Sequence, residues 1–194
     1  FAVLVTALFP GSRTSFSVQA QAQDDIHREY NAETGRVNLI TGVNHAPISV
    51  SGAGAAGISS ETQSLAIMQR FAPEFGLTDP LNELRLSDTN RTTGGRVITK
   101  YQQIYQGVPV IAGELTVNAN KAGALVSMNG EVSPGLSLDV TPKFSVEAAI
   151  EMAKKGMAKW YGGDTNDYTS TQSSLWVFDE KLLRSSIRPA SLVW

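Results

Sequence analysis

Between Val97 and Val117 the chain reads VITKYQQIYQGVPVIAGELTV, and this run limits the possible folds more than any other feature. Val97, Thr99, Tyr101, Gln103 and Tyr105 alternate with Ile98, Lys100, Gln102 and Ile104. A period of two in β-branched and aromatic residues predicts a strand, with the tyrosine face turned to the core. Gly107 can take a positive φ without steric cost. Pro109 fixes its own φ and pushes Val108 towards an extended conformation, so a second strand leaves the turn in a defined direction. Without an N–H, Pro109 has to sit at a strand start, an edge or a bulge. Beyond it, Leu115 and Val117 share one face and Glu114 and Thr116 the other, the pattern of a half-buried antiparallel strand.

Further strands are predicted at 83–87, 96–105, 110–120 and 124–129, with Lys121-Ala122-Gly123 as a tight link and 92–95 as a looser one. Ahead of them Ser60-x-x-Gln63 reads as a capping box. Leu65, Met68, Phe71 and Phe75 follow as an apolar stripe, and Pro73 and Gly76 end the helix. Upstream, Glu33-Thr34-Gly35 is a turn signal between extended segments of 26–50, which predicts a short hairpin or pair of strands. Gly52, Gly54 and Gly57 fit G-x-G-x-x-G literally. No helix opens within the motif and no parallel strand follows, so the segment reads as a Gly/Ala linker.

The residues around Gly107 carry a recognisable pattern: Y-Q-Q-x-Y-x-G-V-P-V over Tyr101, Gln102, Tyr105, Gly107, Val108, Pro109 and Val110, then G-E-L-x-V from Gly113, Glu114 and Leu115, then Asn129-Gly130, taken as closing the next strand. This pattern resembles the propeptide of thermolysin-like and fungalysin-like secreted metallopeptidases. A helix ending in F-G-L, here Phe75 to Leu77, fits the same family, and the resemblance runs from that helix to Trp194. It implies an intramolecular chaperone and inhibitor of a peptidase catalytic domain, removed by autoproteolysis at a junction beyond Trp194. The implied partner is that cognate catalytic domain, with zinc held there and no cofactor in this chain.

After a composition shift over 133–142, Ser145 reads as the cap of a second helix. Its expected buried stripe is Val146, Ala149, Ile150, Ala153, Met157 and Trp160, with a Glu151–Lys155 pair on its surface. Strand-like runs at 175–178 and 190–194 complete a helix, strand, strand order that resembles the start of a PepSY-type unit. The expected fold class is α+β: an antiparallel meander packed by a helix, followed by a second, truncated helix-plus-strands unit. The expected divisions are a signal peptide over 1–22, an extended segment and linker over 23–58, the propeptide-like domain over 59–133 and the PepSY-like unit over 143–194.

The division at residue 22 rests on chemistry of its own. Phe1 to Phe9 is uncharged, stops at Pro10-Gly11 and has the length of a signal-peptide apolar region. Ala20-Gln21-Ala22 follows as a small-residue site, predicting cleavage between Ala22 and Gln23, with Val18-Gln19-Ala20 as the alternative site, and with it export and a secreted product with no membrane attachment afterwards. At the other end, an apolar strand finishing at Trp194 calls for a further antiparallel strand, and the resemblance implies a processing segment after it and then a catalytic domain containing H-E-x-x-H.

Chemistry is limited by what the 194 residues lack. There is no cysteine, so no disulfide, thiolate nucleophile or cysteine-bound zinc. The two histidines, His27 and His45, have no carboxylate at helical spacing to complete a metal face. Asp164-x-Asn166-Asp167 lacks the glycine and closing glutamate of a calcium loop. No H-E-x-x-H, G-x-S-x-G, P-loop or S-x-x-K motif is present, which leaves no nucleophile, base or ligand set for catalysis. Sixteen basic against eighteen acidic residues give no polyanion-binding face, so nucleic acid is not an expected partner. Binding is therefore the expected activity. The alternative to a pro-region is a free-standing extracellular module that binds or inhibits proteins.

Overall fold

In the computed structural model, which describes residues 25–55, 57–182 and 190–194, the alternating run from Val97 forms two neighbouring strands of a mixed α+β fold. The strands are β1 Ile26–Tyr30, β2 Val37–Gly42, β3 Leu84–Arg91, β4 Val97–Tyr105, β5 Val108–Ala119, β6 Leu125–Glu131, β7 Trp176–Phe178 and β8 Ser191–Val193. The helices are α1 Ser60–Phe71, α2 Pro80–Glu83 and α3 Val146–Tyr161. The main sheet has the order β1-β2-β6-β5-β4-β3 with every neighbour antiparallel. β7 joins β5 in parallel through Val110 and Val177, and β8 pairs antiparallel with β7.

On β4 the tyrosine face is the inner one: Val97, Thr99, Tyr101 and Gln103 are buried while Lys100 is exposed. Leu115, Val117 and Met128 continue that inner face across β5 and β6, and α1 covers it with Ile67, Met68 and Phe71. The helix buries Ser64, Ile67, Met68 and Phe71, a stripe at three- and four-residue steps, and leaves Leu65 exposed. Its cap is Ser59 rather than Ser60: the Ser59 hydroxyl accepts from the Thr62 N–H at 3.2 Å. Adjacent serines offer the same hydroxyl, and only the extended backbone of Ser59 (φ −70°, ψ 159°) brings its oxygen onto the helix end. Pro73 then ends the α-helix at Phe71, a 3-10 turn runs through Phe75, and Gly76 closes it at φ 103°.

The short hairpin expected within 26–50 forms, and it joins the main sheet. β1 and β2 form a hairpin, and Leu39, Ile40 and Thr41 pair with Asn129, Met128 and Ser127 of β6, so the boundary placed at residue 58 crosses a continuous sheet. Within the Gly/Ala segment one described residue is packed. Ala53 is fully buried, and its carbonyl oxygen lies 2.3 Å from where a Cβ on Gly123 would stand. Arg28 on β1 bonds Glu74, which Arg70 also approaches at 3.6 Å, tying the hairpin to the end of α1. β3 reaches Arg91, four residues beyond the expected Ser87, because Thr89, Asn90 and Arg91 continue to pair with Thr99, Ile98 and Val97.

The second helix forms where expected, and the Ser145 hydroxyl accepts from the Ala148 N–H. Its apolar stripe is not buried. Of the six residues expected inside, only Ala149 is; Met157 is 42% and Trp160 80% exposed. Periodicity reports that one face of a helix is apolar and says nothing about what lies opposite. Here a hollow of about 590 Å³ lies there, lined in part by Ala149, Ile150, Ala153, Met157, Trp176 and Trp194. On the surface of α3, Glu151 pairs with Lys154 at 3.2 Å rather than with Lys155. Asp164 and Asp167 cap the short 3-10 turn at 165–167 and serve as local backbone acceptors. The signal-peptide segment and its Ala22–Gln23 junction lie outside the described residues.

Candidate functional site

The pattern residues converge on one place, the β4–β5 hairpin and the bulge in β5 beyond it. Gln106 and Gly107 connect the strands at φ 48° and φ 85°. Two successive positive φ values make a two-residue turn of the kind whose twist matches that of antiparallel strands. No atom lies within 4 Å of a Cβ placed on Gly107, so its requirement is one of backbone conformation. Replacing Gly107 by Val is expected to cost about 1–2 kcal/mol from the left-handed backbone of a β-branched residue. Urea unfolding checks this, with Gly107→Asn as a variant that tolerates positive φ and stays near the parent.

Val108, Pro109 and Val110 lead out of the turn. Pro109 is the second residue of β5, opposite Ile104, where β4 shifts register between Gln102 and Ile104. Ala112 takes φ 61° and bends β5. The Gln102 side chain fills this irregularity: its Nε2 donates to the carbonyls of Val110 at 2.7 Å, Gly113 at 3.0 Å and Gln103 at 3.0 Å. Gly113 has no room for a side chain, since a Cβ there would stand 2.7 Å from Gln103 Oε1.

Gln103 points inward and is 1% exposed. Its Oε1 accepts from the Ser133 N–H at 2.8 Å and its Nε2 donates to the Ser133 carbonyl at 2.7 Å, so one side-chain amide replaces a missing strand neighbour. Sequence reasoning placed Gln103 on the inner face and left its role unassigned. A glutamine on an otherwise apolar strand face was the available signal, because a buried amide needs partners.

Tyr101 is also buried and donates to the Ser64 hydroxyl of α1 at 3.0 Å. Burial pushes its phenol above the usual value near 10; the bond to Ser64 pulls the other way, and the charge of Glu61 adds to the rise. The folded state thus holds the phenol proton more tightly than the unfolded chain. This stabilisation is complete below the unfolded phenol value and is lost as pH rises through the raised one. Tyr101→Phe is expected to flatten the alkaline limb of stability as pH rises past the unfolded phenol value near 10, measured as denaturation midpoints relative to the parent. Tyr105 lies nearer the surface, its hydroxyl 3.4 Å from both the N and O of Leu138.

Leu115 is fully buried and Glu114 exposed. Asn129 and Gly130 do not close β6; they lie inside it, opposite Thr116 and Leu115. Gly130 adopts φ 139°, and a Cβ there would stand 2.0 Å from the Glu114 carbonyl oxygen. Among the pattern residues, Gly107 supplies a turn, Gln102 fills a bulge, Tyr101 makes a buried bond, and Gly113 and Gly130 allow close approaches.

Among the described residues no group of three or more His, Asp or Glu is placed to hold a metal ion, and His27 and His45 are exposed. No helix among those residues is long and apolar enough to cross a membrane.

Residues 82–132, which run from the end of α2 through β6 and Val132, match the family model described as the Fungalysin/Thermolysin Propeptide Motif. The matched segment contains the whole β3–β6 meander and every pattern residue from Tyr101 to Gly130. No curated protein matches the chain.

Proposed function

We propose that this chain is part of the pro-region of a secreted zinc metallopeptidase of the thermolysin or fungalysin type, acting as an intramolecular chaperone and inhibitor of the catalytic domain. The match of residues 82–132 to the propeptide motif carries this proposal. The way the motif residues are used supports it, because Gln102, Gln103, Gly107 and Gly130 maintain a scaffold. A scaffold that binds the near-native catalytic chain better than its unfolded states stabilises it by mass action, and the same contact blocks the cleft until the scaffold is cut away.

In this proposal zinc and the peptidase chemistry belong to the catalytic domain, and the present residues supply recognition. Export follows from the apolar run Phe1 to Phe9, with cleavage between Ala22 and Gln23. The segment 143–194 is assigned to a PepSY-type unit. Sequencing the reading frame beyond Trp194 tests the proposal. A catalytic domain with H-E-x-x-H on a helix, two histidines facing one zinc and a glutamate as base, is the expected result. A stop codon soon after Trp194, or a long continuation without that motif, favours a free-standing binding module instead.

A further inference from the structure

Asp88-Thr89-Asn90-Arg91-Thr92 contains Asn-x-Thr, the acceptor sequence for N-linked glycosylation, and no other asparagine of the chain has serine or threonine two places on. Asp88, two places ahead, also meets the stricter acceptor pattern that calls for an acidic residue there. The run lies at an edge: among the described residues β3 ends the order of the main sheet and pairs with β4.

Side chains along a strand alternate between its two faces. Thr89 Oγ1 is buried and the Arg91 guanidinium donates to the Ser60 hydroxyl of α1, which turns both residues to the covered side. Asn90, between them, therefore points away from α1, and it is exposed. Asp88 stands on the same side, since its carboxylate accepts from Asn90 Nδ2 at 2.6 Å. Across the sheet from Asn90 come Ile98, Asn118 and Ser127 in register. Thr92 is exposed at the start of the turn to β4, where its hydroxyl accepts from the Arg96 N–H at 3.1 Å.

We propose that Asn90 carries an N-linked glycan in the exported protein. In the transfer, Nδ2 forms a bond to C1 of the first sugar of a lipid-linked oligosaccharide. The bond from C1 to the lipid pyrophosphate breaks, the pyrophosphate leaves with the electron pair, and one Nδ2 proton passes to the transferase. The amide carries two hydrogens, and the one that remains still donates to Asp88, so the folded geometry accepts the product. The glycan leaves on the solvent side of the edge strand, away from the core under α1. This inference rests on the export part of the proposed function, because such acceptors are used in secreted chains.

Peptide mass spectrometry tests the site on the full chain, produced in cells that possess an N-linked transferase, once with its own residues 1–22 and once with a host leader in their place. The peptide carrying Asn90 is expected to be heavier by a glycan, and enzymic release of N-glycans should leave aspartate at that position. Asn90→Gln and Thr92→Ala should abolish the added mass, whereas Thr92→Ser keeps the hydroxyl and should retain it. Asn90 is exposed, so the urea midpoint of Asn90→Gln should match that of the deglycosylated parent, which separates loss of the site from loss of the fold. An unmodified Asn90 in the host-leader protein overturns the site, and so does added mass on that peptide that survives Asn90→Gln. Modification with the host leader but not with residues 1–22 supports the site and contradicts the export reading instead.

Discussion

Gly130→Ala is expected to destabilise the fold by about 3 kcal/mol or more, a large fraction of the stability of a typical domain. Two penalties fall on the same atom. At φ 139° an L residue is strained, which costs of order 1–3 kcal/mol, and the new methyl would stand 2.0 Å from the Glu114 carbonyl oxygen. That oxygen belongs to β5 at the centre of the sheet, paired on both sides, so relief requires β5 and β6 to separate. The urea midpoint measures the loss. Gly135→Ala is the control: its φ of 66° is also positive, but it has no neighbouring atom to strike and should cost only the backbone part.

Gln103→Ala is expected to cost a similar amount, about 3–5 kcal/mol, for a different reason. Truncation leaves the Ser133 N–H and carbonyl without their partners in a buried place, at about 1–3 kcal/mol for each unsatisfied group, and opens a cavity beside Gly113. Gln103→Met discriminates between the two contributions. It keeps most of the volume and supplies neither bond to Ser133, so it should recover the packing and fail on the hydrogen bonds. Equal stability of parent and Gln103→Ala in urea would contradict the role given to this side chain.

Both residues show where sequence reasoning reaches its limit. The β4–β5 hairpin was legible because its causes are local: a period of two, a glycine at a positive φ and a proline near a strand start. The inner face of β4 was legible for the same reason. Gly130 was visible as a glycine within the pattern, yet an Asn-Gly pair is the usual mark of a turn, and only the approach of β5 explains its position inside a strand. Gln103 gave its face and not its partner, since Ser133 lies thirty residues away.

Non-local structure was harder to read. The parallel pairing of β7 with β5 joins residues that no hydrophobic period relates. The addition of β1 and β2 beside β6 depends on a register that the 26–50 text does not carry. On α3 the stripe is real as a pattern, but burial needs a surface in contact with it: Met157 borders a hollow shared with Trp176 and Trp194, and Trp160 is 80% exposed.

The central claim is that this scaffold recognises a thermolysin-type catalytic domain and works through that contact. Its most direct test is to add the purified chain in trans to the zinc-loaded catalytic domain from the same reading frame. Peptide hydrolysis is followed as the chain is titrated, with recovery of active enzyme from denaturant measured beside it. The account predicts saturable inhibition of the peptidase and a higher yield of active enzyme when the chain is present during refolding. Undiminished hydrolysis at saturating chain, together with a refolding yield that does not respond to it, would contradict the account.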